Sequence, residues 1–358
     1  MTLSTRKKII FTVIYIVGLV LFVEVTARVT WTMLDKTWGL VVPQEVMRFD
    51  DQLGWAPQAG AVAVSKATGK TVEYAINDKG LRDGPTEYAK PDGVFRIVTL
   101  GDSHTFGFGV SLAEHYTTLL EGYFQHVEVV NLGVNGYGLD QMLLRLQSEG
   151  LRYKPDLVLL YLPHYGDVRH MRDKVWGMGK PRFELENGEL IIKNSPVANN
   201  SRLYMTLIDT DRLVARYSRA YRMLRDALLF FRSKLAAADK AHSETSSKHI
   251  STPTQEQIDA MKKVNDLGVA IVKKIHDTAA ENGAAFVLFT RVGNLFIDSF
   301  FEGILADYVA DPLANNYMEI TNDPTKHPNA AANAVLAWSM ADYLTTKGLI
   351  PKSCLNTP

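Results

Sequence analysis

The chain has 358 residues, 46% hydrophobic and 22% charged, with 39 basic and 39 acidic side chains. That balance suits a globular protein with a sizeable core and excludes the basic footprint of a nucleic-acid binder. One cysteine, Cys354, excludes an intramolecular disulfide and any Cys₄ or Cys₂His₂ zinc site.

Arg6, Lys7 and Lys8 precede residues 9–23, fifteen positions without a charge. The apolar stretch reaches residue 27 if Glu24 lies near the far interface, long enough to cross a bilayer. The basic flank predicts that the N-terminus stays in the cytoplasm. No A-x-A pattern precedes Arg28, which favours an uncleaved signal anchor over a cleaved signal or a buried helix. The expectation is a single-pass protein of the cytoplasmic membrane, its main domain on the periplasmic side. Residues 1–30 form this anchor, and residues 31–93 form a loop-rich lead-in that packs on the core from outside.

From residue 94 strands and helices alternate. Residues 96–100, 127–132 and 157–162 read as buried strands, and residues 112–124 and 139–150 as the helices between them. Such alternation predicts a mostly parallel sheet with helices on both faces, a three-layer α/β/α sandwich spanning 94–350. The pattern breaks at 170–200, where Glu186-Asn187-Gly188 marks a hairpin. An insertion at about 200–255 follows. Within it Tyr217, Tyr221, Leu224, Leu228, Phe231 and Leu235 form one apolar helical seam. Residues 201–240 carry nine Lys/Arg against four Asp, so the helix reads as a site cap, a lipid-facing surface or a solvated face. A second long helix runs from 254 to 282, where Thr254 and Gln257 have capping-box spacing. Residues 285–290 form a fourth strand, and the last helix opens on Pro328.

Chemistry concentrates at the strand ends. Gly101-Asp102-Ser103-His104 follows the first strand directly, where unclaimed backbone N–H groups favour developing negative charge. Ser103 there is either a helix cap or a nucleophile. After the second strand, Asn131-Leu132-Gly133-Val134-Asn135-Gly136 lets backbone N–H groups approach an acyl oxygen. Far downstream, His327 can take a serine proton, and Asp323 four residues earlier can orient its ring. His104 adjoins Ser103, and a structural or substrate-facing role is expected for it.

These blocks resemble the GDSL/SGNH hydrolase superfamily, in particular its membrane-anchored bacterial members, over roughly residues 45–168 and 255–345. The resemblance implies Ser103 as nucleophile and first oxyanion donor, Gly136 as second donor and His327 as base. It implies no metal or organic cofactor. Two positions depart from the family pattern. The aspartate that usually stands three residues before the histidine is Pro324 here, with Asp323 one further back. The asparagine that usually donates to the oxyanion is Gly166, with His164 and Tyr165 beside it. The implied activity is hydrolysis or transfer of O-acyl esters, O-acetyl above all, on an extracytoplasmic glycan or lipid. Two alternatives stay open: an accessory partner of a membrane-bound O-acyltransferase, and an inactive binding scaffold.

Overall fold

A computed structural model describes residues 4–34, 46–65, 70–163, 169–198, 254–290, 308–310 and 327–356. Between 199 and 253 it describes only 210, 213–214, 217–225 and 227–228. Contacts divide the chain into two units, Met1–Leu40 with Thr206–Pro253, and Val41–Met205 with Thr254–Pro358.

The first unit contains α1 (Thr5–Leu34). Residues 5–30 of it are apolar enough and long enough to span a membrane, and its apolar side chains from Ile9 to Val25 are exposed.

The second unit is built on five parallel strands. They are β5 (Phe95–Leu100), β6 (Val127–Asn131), β7 (Leu157–Leu162), β12 (Ala285–Thr290) and β13 (Tyr308–Ala310), in the order β13-β12-β7-β5-β6. The strands expected at 96–100, 127–132, 157–162 and 285–290 are present, within a residue at each end. The fifth, β13, has no long apolar run and was not legible. Alternate residues face opposite sides. Ile97, Val129, Leu159, Tyr161, Val287 and Phe289 pack under α3 (Tyr116–Glu121) and α6 (Ala330–Thr346). α4 (Leu139–Ser148) and α5 (Gln255–Glu281) pack on each other, and their buried Leu146 and Ile271 join the core. The expected α/β sandwich is therefore observed.

Several local expectations are corrected. The helix expected over 112–124 divides, because His115 is extended (φ −79°, ψ 143°) between a 3₁₀ turn at Leu112–Glu114 and α3. Buried His115 is drawn inward, its Nδ1 2.7 Å from Thr117 Oγ1 and its Nε2 3.1 Å from the His104 carbonyl. The last helix starts at Ala330 rather than Pro328. Asn329 is its cap, and its side chain accepts from Ala332 N–H at 2.9 Å.

The lead-in also differs from expectation. It forms two antiparallel hairpins, β1 (Met47–Asp50) with β2 (Gly54–Pro57) and β3 (Val62–Ser65) with β4 (Val72–Ala75). It is more than an outer wrapping, since Trp55 is fully buried. Trp55 Nε1 donates to the Asn135 carbonyl (2.9 Å), and Tyr137 donates to the Trp55 carbonyl (2.6 Å). Beyond β7 come two short hairpins, β8 (Lys174–Val175) with β9 (Met178–Gly179) and β10 (Arg182–Glu186) with β11 (Glu189–Lys193). The second turns at Asn187 (φ 51°) and Gly188 (φ 85°), as the Asn-Gly pair predicts.

Asp83 supplies a pH test of this fold. Its carboxylate accepts from Gly84 N–H (2.8 Å) and Asn131 N–H (2.9 Å), tying the lead-in to the end of β6. Burial pushes its carboxyl up to about 7, against the lowering effect of those two bonds. A folded-state value above the unfolded one means that the native state holds its proton longer. Its stabilising contribution is complete below about pH 4 and is lost as pH rises towards 7. Urea unfolding of full-length wild type and Asp83→Asn at pH 4 and pH 8 checks this. The variant should gain on wild type by on the order of 1–3 kcal/mol over that interval, a range reduced because the carboxyl still reaches solvent. A pH-independent difference would refute it.

Candidate active site

β5 ends at Leu100, and Gly101 and Asp102 lead into the short helix α2 (Ser103–Phe106). Gly101 is required by close packing. A Cβ there would sit 2.0 Å from Thr105 Oγ1 and 3.2 Å from the Tyr161 carbonyl. Gly133 is required for the same reason, since its Cβ would lie 2.4 Å from the backbone of Thr105 and Phe106. The glycine loop after β6 thus rests directly on α2, and Val134 N–H donates to the Gly101 carbonyl (3.2 Å).

The cap of α2 is Asp102, whose side chain accepts from His104 N–H at 2.9 Å. Ser103 is thereby released from the capping role. As first helical residue its backbone N–H has no intrahelical acceptor. The other end of α2 is gripped by Arg82, whose guanidinium donates to the carbonyls of Phe106 (2.9 Å), Gly107 and Val110 (2.6 Å). His115 holds the His104 carbonyl, and burial pushes its ring down to about 3, so it stays neutral.

Ser103 Oγ lies 2.8 Å from His327 Nε2, joining residues 224 positions apart. The His327 ring contacts two others. Its centroid is 4.9 Å from that of His104, with the planes inclined by 29°, and 4.5 Å from that of Phe108. His327 stands just before the cap of α6. Buried Asn333 fixes that helix start, donating to the carbonyls of Pro328 (3.1 Å) and Asn329 (3.0 Å) and accepting from Tyr116 N–H (3.0 Å). Its neighbour Asn329 completes the cap.

His104 points inward, its Nδ1 3.1 Å from Asp102 Oδ1. The other Asp102 oxygen accepts from Arg169 at 2.6 Å. Burial opposes the Asp102 charge, but the His104 ring and the Arg169 guanidinium outweigh it and hold the carboxyl well below the usual carboxylate range. A fixed anion therefore sits behind the Ser103–His327 pair. Reading the sequence assigned no role to Asp102, Arg169, Phe108 or Asn333. Asp102 was visible as the residue before Ser103, whereas nothing local marked Arg169.

Gly136 lies third in a turn closed by Tyr137 N–H to the Val134 carbonyl (3.2 Å), with φ 78° as a type II turn requires. A Cβ on it would meet the Trp176 indole at 2.4 Å. Asp323, His164 and Gly166 lie outside the described residues.

No family model and no curated protein matches the chain. Among solved structures it is similar to a lipolytic protein of the G-D-S-L family from Desulfitobacterium hafniense, with 12% identity and a TM-score of 0.34 over 69% of this chain and 98% of the other. It is also similar to a psychrotrophic esterase from Pseudoalteromonas sp. (12%, TM-score 0.38, 71% and 99%). A third is an acetylxylan esterase from Geobacillus stearothermophilus (15%, TM-score 0.36, 71% and 95%).

Proposed function

We propose that the protein is a membrane-anchored serine esterase that cleaves or transfers O-acyl groups, O-acetyl in the first place, on an extracytoplasmic glycan or lipid. The observation that carries this reading is the 2.8 Å contact between Ser103 Oγ and His327 Nε2. That is hydrogen-bond reach for a nucleophile and its base.

Ser103 Oγ attacks the ester carbonyl while His327 Nε2 takes the hydroxyl proton. The carbonyl π electrons move onto oxygen, where the backbone N–H groups of Ser103 and Gly136 receive the developing charge. Collapse expels the alkoxide, which recovers the proton from His327 and leaves an acyl-serine. Water, deprotonated by the same imidazole, or an acceptor hydroxyl then releases the acyl group. Asp323 is assigned the orientation of His327. Asp102 is assigned a second electrostatic role, favouring positive charge on the adjoining rings. The anchor is α1, and the basic residues Arg6, Lys7 and Lys8 in its first turn favour the catalytic unit on the extracytoplasmic side.

The test uses detergent-solubilised full-length protein, p-nitrophenyl acetate and a fluorophosphonate probe. Turnover and a single phosphonyl adduct on Ser103, found by peptide mass spectrometry, are expected. Absence of both would overturn the reading.

A further inference from the structure

The sequence places an apolar seam along residues 217–228, and an ordinary globular helix would bury it. Here the seam is open. Tyr217 is 67% exposed, Tyr221 36%, Leu224 61% and Leu228 56%. Steps of three and four place Tyr221, Leu224 and Leu228 on one helix face, and Tyr217 stands just before the Ser218 cap of that helix. The apolar residues of α1, in the same unit, are exposed to the same degree, Phe22 by 68% and Val25 by 58%. Two exposed apolar surfaces in one unit call for a common apolar environment.

The seam is also fastened to α1 at a defined height. Glu24 accepts from the backbone N–H of Arg219 (2.9 Å) and Ala220 (3.3 Å), and from the Ser218 hydroxyl (2.9 Å). Ser218 Oγ in turn accepts from Tyr221 N–H (3.1 Å). The carboxylate of one helix therefore serves the free N–H groups of another, where the helix dipole also favours it. Arg28 forms an ion pair with Glu24 (2.9 Å) and donates to the Tyr217 carbonyl (2.8 Å). The apolar window of α1 ends at Thr30. At 1.5 Å per residue, Arg28 and Glu24 lie about 3 and 9 Å inside that end. That span overlaps the depth at which an interfacial helix buries its apolar face, about 5–10 Å into the headgroup–acyl boundary.

We infer that the helix beginning at Arg219 is an interfacial helix that lies in the bilayer surface, with Tyr221, Leu224 and Leu228 in lipid and its start pinned to α1 by Glu24 and Arg28. The inference rests on α1 being a membrane anchor. The occupant of the seam is a bilayer with anionic headgroups. Two features favour lipid over a protein partner: the seam continues the apolar surface of α1, and nine basic residues between 201 and 240 face only four acidic ones. Glu24, an acidic group inside an apolar span, gains a stated purpose.

The test places one environment-sensitive fluorophore (NBD) at a time on single cysteines. It uses the full chain carrying Cys354→Ser, in nanodiscs of phosphatidylcholine and phosphatidylglycerol. The sites are Leu224→Cys for the seam, Val17→Cys for the span and Asp342→Cys for water. At Leu224 the emission should shift to the blue and be quenched by doxyl groups attached near the lipid headgroup, at shallower depth than at Val17. Glu24→Gln should reduce the quenching at Leu224 and leave that at Val17 unchanged. A spectrum at Leu224 matching Asp342 while Val17 is quenched would overturn the interfacial helix and leave the anchor standing. Loss of quenching at Val17 as well would overturn the anchor itself, and the inference with it.

Discussion

Ser103→Ala will lower kcat on an acyl ester by at least about 10³-fold and leave the thermal midpoint unchanged. The second half of that expectation comes from the local structure. Asp102, not Ser103, caps α2, so removing the hydroxyl costs the helix no hydrogen bond. A serine that served only as a cap would show the opposite pattern, with stability lost and chemistry kept. His327→Ala should cost about as much activity, because it removes the Nε2 that stands 2.8 Å from the Ser103 hydroxyl as its proton acceptor. The double variant should be scarcely worse than either single one, since the two groups act as a unit. Steady-state kinetics on the three variants, with circular dichroism melts, decides this. Additive losses, or a Ser103→Ala enzyme of undiminished rate, would refute the nucleophile assignment.

Lys180→Met should destabilise the protein by about 3–5 kcal/mol, the usual penalty for orphaning one member of a buried ion pair. Lys180 and Asp140 are both wholly buried and in direct contact. Burial pushes the Asp140 carboxyl up despite the ammonium beside it, so removing Lys180 takes away its principal compensating charge and leaves chiefly the Gln141 N–H (2.9 Å). The ammonium also donates to the carbonyls of Pro181 (2.8 Å), Arg169 (3.3 Å) and Arg172 (3.3 Å). It therefore holds the backbone that carries Arg169, which in turn grips Asp102 beside Ser103. Asp140→Leu combined with Lys180→Met should recover part of the loss. Full recovery is not expected, because the three carbonyls still lack their donor. Urea unfolding of the two single variants and the double completes the cycle. Simple additivity would show that the two side chains are not coupled.

Both variants bear on how much of the site was legible. The Gly101–Ser103 turn was readable because it is local. A buried strand, a small-residue turn and a serine stand in one run of the sequence, and a Cβ would clash at 101 with the Thr105 side chain and at 133 with the backbone of Thr105 and Phe106. His327 was readable from its setting before Pro328 and Asn329. Arg169 was not readable. It is one arginine in a polar, turn-rich stretch, and its partner is 67 residues away. Arg82 and Asn333 were hidden for the same reason, as each meets backbone groups far along the chain. The apolar seam at 217–228 was legible as a pattern, but its environment was not, because periodicity marks a face and not what covers it.

The amino-acid order by itself determined the parallel α/β core, the apolar N-terminal helix and the Gly-Asp-Ser and His-Pro-Asn blocks. These depend on periodicity and turn chemistry within a few residues, which local sequence encodes directly. Only the tertiary structure decided that Ser103 and His327 are in hydrogen-bond contact, that Asp102 pairs with Arg169 and caps α2, and that Glu24 fastens a second helix to α1. Partners across such separations are chosen by the packing of the whole core, where burial and backbone position set which charges and hydroxyls meet.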